Sequence, residues 1–542
     1  MNRLRKILET KTAGIVCSLF AIANRMIFAS LHSLVGTDTK VQLTYAQNLM
    51  TGKGMGVTKY FTNDLTTPIY DSHLLFPPGF SLAIIPFLSL SENDEFKAVH
   101  VFDMVTSVVF IFAVRHLSKR SGLPDALTNI VTLIAGCSQY LFFMSWSSTD
   151  GISLCFVLFA MAATLNIIDK GKEIGLLKAS GCSLLFCLPY FFRYMYLPVA
   201  VLLPLLILLS GISLKNKKLK VAGGKLLGLT TFFLAILFAF SLFISSNALH
   251  LNDFGRGFYF NQLTEWYPFL PASFINLDFA AQLIEKILPW TYTQAMYFFK
   301  ISNLVLFILG LFLLGRYIYF YNKNLFSSNH SSFITVGSFT SISIILLLVY
   351  LSFTYKEIEW GYIKWTYISD ERYYAFLYIF VPILFFICVH HFKHFFKRSF
   401  FRLFVFLTLC IFCSEIMHGI YYNIKILLHH KDLANIREAE NGYKNFPSII
   451  KKIEEKYPDR QVFISSPDFY YMHDASQRGY KVIFDYQNLS QTVLRAPAQS
   501  ILILPIHTNE LIIMKDFLEK KKPKSISTSD GTFFYIEEIN PE

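Results

Sequence analysis

Between the first long apolar run of the chain and Asp64 stands a single carboxylate, Asp38, in the stretch LVGTDTKVQLTYAQNLMTGKGMG, Leu34 to Gly56. An acid that follows a membrane span immediately sits where the bilayer meets water, partly desolvated and close to any group held by a lipid tail. There it can act as a general base toward an attacking hydroxyl. Asp is equally a favoured N-cap, and the helical stretch TKVQLTYAQNLMTGKG behind it carries the stop signals Gly52 and Gly54. Spacing alone leaves both roles open.

The surrounding elements must place that acid. The chain has 542 residues, 54% of them hydrophobic, 17% aromatic and only 16% charged, with a mean hydropathy of +0.43. The apolar residues arrive in blocks long enough to cross a hydrocarbon core of about 30 Å as helices. Repeated blocks define an integral membrane protein, mainly α, built as a polytopic helix bundle. The first apolar run is interrupted by Asn24 and Arg25 and has no small-residue cleavage site, so it reads as a retained span. Further spans are expected near residues 98–116, 125–144, 151–168, 179–193, 195–212, 222–245, 293–315, 332–353, 374–391 and 400–421, giving eleven crossings in all.

The block FPPGFSLAIIPFLSL is short and contains Pro77, Pro78 and Pro86. As a re-entrant or interfacial segment it leaves the basic loops RHLSKR, KNKKLK and HHFKHFFKR on the side of the N-terminus, which the positive-inside bias makes cytoplasmic. Outer loops 36–97 and 246–292, the turn WSSTDG and everything beyond about residue 422 then face outward. Residues 1–428 form the membrane domain and residues 429–542, charged and free of cysteine, a small soluble α/β domain outside the membrane. Within it FPSIIKKIEEKY and TNELIIMKDFLEKK read as helices, RQVFISS, GYKVIFDY and SILILPI as strands, and SISTSDGTFFYIEEI as a hairpin turning at Asp530 and Gly531.

The formal charge of +12 sits in clusters between apolar blocks, a topology signal that speaks against a nucleic-acid partner. All eight cysteines fall inside apolar blocks, which argues against a disulfide framework or a zinc site.

Asp38, Tyr45, Asn48, Leu49, Gly52 and Gly54, followed by Pro77, Pro78 and Gly79, reproduce the order of an outer-loop pattern: an Asp after the first span, a Tyr-x-x-x-Asn-Leu-x-x-Gly-x-Gly helix, then Pro-Pro-Gly. The chain in this respect resembles membrane glycosyltransferases of the GT-C class, of the bacterial protein O-mannosyltransferase-like and aminoarabinose-transferase-like families. WSSTDG with Asp150, LPYFFRYMYLP with Arg193 and SDERYYAFLYIFVPILFF with Arg372 fit the same resemblance.

The resemblance implies a sugar transferred from a polyprenyl-phosphate carrier to a lipid, glycan or protein acceptor on the outer, periplasmic face of a bacterial inner membrane. Asp38 would be the general base of an inverting displacement. Arg372 first and Arg193 second would contact the donor phosphate, with Lys40 beside them. For both arginines, snorkelling or pairing with a nearby acid is the plainer alternative. Tyr45, Asn48, Asp71, His73 and Asp150 would bind substrate, and Asp71, His73 and Asp150 could hold a divalent metal ion. Asp150 could instead cap a helix starting at Gly151. The aromatic loop FGRGFYFNQLTEWYPFLPASF is expected to gate acceptor access. A transporter or flippase of a polyprenyl-linked saccharide is the alternative, and a non-catalytic scaffold a third.

Overall fold

The computed structural model describes residues 8–31, 37–61, 64–71, 76–138, 141, 148–244, 257–258, 284–295, 297–298, 331–351, 353–359, 362–366, 376–391, 399–428, 446, 448–466, 471, 475, 480–483, 500–507, 524–527 and 532–539. It is mainly helical. In chain order the helices are α1 (Lys11–Leu31), α2 (Thr37–Met50), α3 (Gly79–Leu90), α4 (Glu95–Arg120), α5 (Asp125–Cys137), α6 (Ser148–Lys170), α7 (Leu176–Phe192), α8 (Leu197–Ser213), α9 (Lys217–Ile244), α10 (Ser331–Leu351), α11 (Leu377–His391) and α12 (Ser399–Leu428). Among the described residues, five helices are long and apolar enough to cross a membrane; they correspond to α1, α4, α6, α8 and α9. Every expected span except that at 293–315, most of which lies outside the described residues, coincides with a helix.

The segment with three prolines folds as α3, whose 12 residues reach only about 18 Å. That is shorter than the helix length a hydrocarbon core of about 30 Å requires. Helix α5 is also short, 13 residues, and its buried end leaves orphan carbonyls that other parts of the chain must satisfy. Asn24 and Arg25, which interrupt the apolar run of α1, supply the donors. The Asn24 amide donates to Gly136 O at 3.0 Å, and the Arg25 guanidinium donates to Ala135 O and Leu141 O at 3.4 and 3.1 Å. Arg25 also lies over the Phe110 ring at 4.6 Å, and its charge opposes the negative end of the α5 dipole.

Helix α12 closes the same seam. Asn423 donates to the backbone and side-chain oxygens of Asn24 at 2.9 and 2.8 Å, and Ser138 donates to Glu415 at 3.1 Å. Small residues let the backbones approach: a Cβ on Gly136 would collide with Ala21, and one on Gly419 with the Cys137 carbonyl.

The two ends of the bundle differ. At one end α4–α5, α6–α7 and α8–α9 are joined by tight turns rich in lysine, with Gly122 and Gly171 in the left-handed region. Lys119 pairs with Asp125 at 3.1 Å there, and the Asn216 amide donates to Gly171 O at 3.0 Å, tying two turns together. From the segments that belong to the other end come all the described strands. β1 (Val57–Phe61) and β2 (Asp64–Asp71) form a hairpin after α2, and β3 (Gly257–Phe258), β4 (Phe353–Glu359) and β5 (Tyr362–Thr366) form a second antiparallel sheet.

The third sheet is made by β6 (Gln461–Ile464), β7 (Lys481–Val482), β8 (Ser500–His507), β9 (Lys524–Ser527) and β10 (Thr532–Ile539), in the order β7-β6-β8-β10-β9. β6 runs parallel to β7 and β8, and β10 pairs antiparallel with β8 and β9, Ser527 opposite Phe533, as the expected hairpin requires. Ile449, Ile450 and Ile453 of a helix over 448–456 pack on Val462, Ile464, Ile501 and Ile503. TNELIIMKDFLEKK lies outside the described residues. β7 lies against β1.

Replacing Gly419 by Val should drive α12 off α5 and break the Asn423–Asn24 bonds, an overpacking cost of about 3 kcal/mol. Thermal unfolding of the detergent-purified protein measures it; an unchanged midpoint would mean the two helices do not pack in this way.

Candidate functional site

Helix α2 combines features that rarely coexist. Its average side chain is polar, yet every residue from Thr39 to Asn48 is buried. Something must satisfy those groups, and each satisfied group fixes the helix. Lys40, fully enclosed, places Nζ 2.7 and 2.6 Å from the two carboxylate oxygens of Glu95 in the first turn of α4. Such a pair gains little over an apolar one but is costly to break from one side. The Ser81 hydroxyl of α3 donates to Gln42 O at 2.9 Å, so α2 is clamped by both following helices. Asp94 caps α4 by accepting from Lys97 N at 3.1 Å, which sets the start of α4 and the position of Glu95.

The pattern residues of α2 have structural duties. The helix ends in a double reversal, Lys53 N to Asn48 O at 2.8 Å and Gly52 N to Leu49 O at 3.1 Å, with Gly52 at φ 75° and Gly54 at φ 79°. This is the Schellman geometry that favours glycine after a helix. The Asn48 amide donates to Gly56 O at 2.6 Å and pins the outgoing chain, while Tyr45 packs with Val41 and Met55. Pro77-Pro78-Gly79 is explained similarly: a Cβ on Gly79 would run into the Phe191 backbone at the end of α7, so only glycine lets α3 lie there.

That contact joins α3 to the second charged pair. Arg193, in extended conformation at the end of α7, directs Nε to Asp150 Oδ1 at 2.6 Å, and its Nη1 donates to the Thr149 hydroxyl at 3.3 Å. Both partners are buried. Helix α6 begins at Ser148, so Asp150 sits in its first turn, where the helix dipole favours a carboxylate, rather than ahead of a helix starting at Gly151. Between the two pairs lies one apolar cluster of Leu43, Phe80, Phe96, Phe102 and Phe192, with Phe80 edge-on to Phe102 at 5.2 Å and Phe156 stacked on Phe192 at 5.4 Å. Lys40–Glu95 and Arg193–Asp150 therefore flank a single core at one end of the bundle.

Lys40, Asp150 and Arg193 flank this platform, whereas Tyr45 packs in a separate cluster with Val41 and Met55 and Asn48 holds the chain that leaves α2. Asp38 lies in the first turn of α2, two residues before Lys40, so it is inside the helix rather than at its N-cap. Asp71 closes β2, in register with Val57. His73 and Arg372 lie outside the described residues, as does most of the aromatic loop; its Gly257 and Phe258 pair with Thr354 and Phe353. No group of three His, Cys, Asp or Glu suited to a metal occurs among the described residues. Sequence reading missed Glu95, Thr149 and Tyr196. An acid opening an apolar block, as Glu95 does, was the available signal for the first. No known family model matches the chain, and no curated protein matches it.

Replacing Glu95 by Leu should strand the Lys40 charge and cost about 3–5 kcal/mol, whereas the double change Lys40→Met, Glu95→Leu should recover most of it. Thermal unfolding of the three proteins checks this; additive losses in the double variant would show that the pair does not clamp α2.

Proposed function

We propose that the protein is an integral-membrane glycosyltransferase of GT-C type, with eleven crossings, α3 re-entrant and the C-terminal α/β unit on the outer face. It moves a sugar from a polyprenyl-phosphate carrier to a lipid, glycan or protein acceptor. The observation that carries the reading is the fixing of α2: a polar helix following the first span, clamped by Lys40–Glu95 and Ser81, holds the backbone of Asp38 beside the core that joins α4, α6 and α7. Orientation follows from charge. The lysine-rich turns at the opposite end favour that end as the cytoplasmic side, and contact of β7 with β1 supports a C-terminal sheet on the side of the β1–β2 hairpin that follows α2.

In the proposed reaction Asp38 accepts the proton of an acceptor hydroxyl as its oxygen bonds to the anomeric carbon. The anomeric carbon–phosphate oxygen bond breaks, its electron pair leaves with the lipid phosphate, and configuration inverts. Arg372 is the principal contact for that phosphate, since Lys40 and Arg193 are each neutralised by a buried acid. Lys40 serves as an anchor of α2, and Tyr45 and Asn48 shape the helix that presents Asp38. Asp150, already engaged by Arg193, is a poor third ligand beside Asp71 and His73, and no step here needs a metal.

Purified protein incubated with a panel of polyprenyl-phosphate sugars should release lipid phosphate and transfer or hydrolyse sugar. Asp38→Asn should lower kcat by about 100-fold or more while donor binding persists. Equal turnover by this variant would remove Asp38 from the chemistry, and a flippase or scaffold would be indifferent to it.

A further inference from the structure

The reversal between α7 and α8 holds a group that the proposed reaction does not use. Tyr196 ends a short 3-10 turn, Tyr194–Tyr196, and its backbone N–H donates to Arg193 O at 3.1 Å. Its side chain is 3% exposed, and among the described residues its hydroxyl has no hydrogen-bond partner. Burying a hydroxyl unpartnered is costly, and here it lies in the field of both Asp150 and Arg193. A polar group enclosed beside an ion pair but bonded to nothing points to an occupant that accepts from it.

The charge of the site restricts that occupant. Arg193 and Asp150 form a neutral pair, and Asp150 would repel a phosphate brought against it. A neutral hydroxyl meets neither objection, because it can donate to the carboxylate while accepting from the phenol. We propose that Asp150 and Tyr196, with Arg193 orienting the carboxylate, form a subsite that reads one hydroxyl of the sugar carried by the lipid donor. This assignment rests on the transferase reading and names which part of the donor the cluster recognises. Phe192, next to Arg193, belongs to the core that packs α2, so the subsite and the helix bearing Asp38 share one support. Tyr194 on the same turn is 36% exposed, so the reversal that holds Tyr196 reaches the surface.

Tyr196→Phe keeps the ring and its packing and removes only the hydroxyl. Equilibrium binding of the full-length protein in nanodiscs is measured with bare undecaprenyl phosphate and with undecaprenyl phosphates bearing glucose, mannose, galactose or aminoarabinose. The expected result is a wild-type preference for at least one sugar-bearing lipid over the bare one, lost about tenfold in Tyr196→Phe, with binding of the bare lipid changed less than twofold and the melting temperature unmoved. Equal losses for bare and sugar-bearing lipid, no loss at all, or no wild-type preference overturns the subsite; the hydroxyl would then hold water or phosphate. Turnover of the same donors reports on the transferase reading separately. Transfer by a wild type whose sugar preference ignores Tyr196 sinks the subsite alone, whereas selective binding through Tyr196 without transfer sinks the enzyme and leaves a sugar-lipid receptor.

Discussion

A charge enclosed in an apolar core must find an opposite charge, and the architecture around α2 follows from that requirement. Lys40 is enclosed on all sides and answered by Glu95 from the next helix but one, so neither α2 nor α4 can shift without exposing an unpaired ion to an apolar core. Arg193 and Asp150 repeat the arrangement between α7 and α6. With the Leu43, Phe80 and Phe192 core between them, the two pairs turn helix ends that could slide past one another into a fixed platform.

A second constraint acts deeper in the bundle. A helix that stops inside hydrocarbon leaves carbonyls that only protein can satisfy. Helix α5 stops early, and Asn24 and Arg25 of α1 take up the task while Asn423 of α12 holds Asn24 in place, with Gly136 and Gly419 allowing α1 and α12 close to α5. Polar residues that weaken the hydropathy of α1 are thus the bonds that hold the last described helix of the bundle to the first.

Much of this was legible in the sequence because hydrocarbon thickness and strand alternation leave direct marks. Helices over most of the apolar blocks, the short proline-rich block, the β9–β10 hairpin and the glycines that end α2 follow from length, composition and turn chemistry. Partnership was not legible. Lys40 and Glu95 are 55 positions apart and Asn24 and Asn423 are 399 apart, and nothing local distinguishes a buried lysine from a loop lysine. Nor does composition reveal that Asn48 bonds Gly56 O or that Gly79 is required by the backbone of Phe191; a motif residue looks the same whether it binds a ligand or shapes the chain. The starts of α2 and α6 lie two and three residues earlier than capping chemistry suggests, which puts Asp38 and Asp150 in first turns.

The central claim is that a lipid phosphate is received at the end of the bundle where α2 is clamped. A polyprenyl phosphate carrying a photoreactive diazirine on its first isoprene unit, activated on the purified protein and mapped by mass spectrometry, tests this most directly. Adducts concentrated in residues 37–50, 76–96 and 188–197 are the expected result. Labelling confined to the lysine-rich turns at 119–125, 170–178 and 213–220, or spread evenly over the lipid-facing helices, would contradict it.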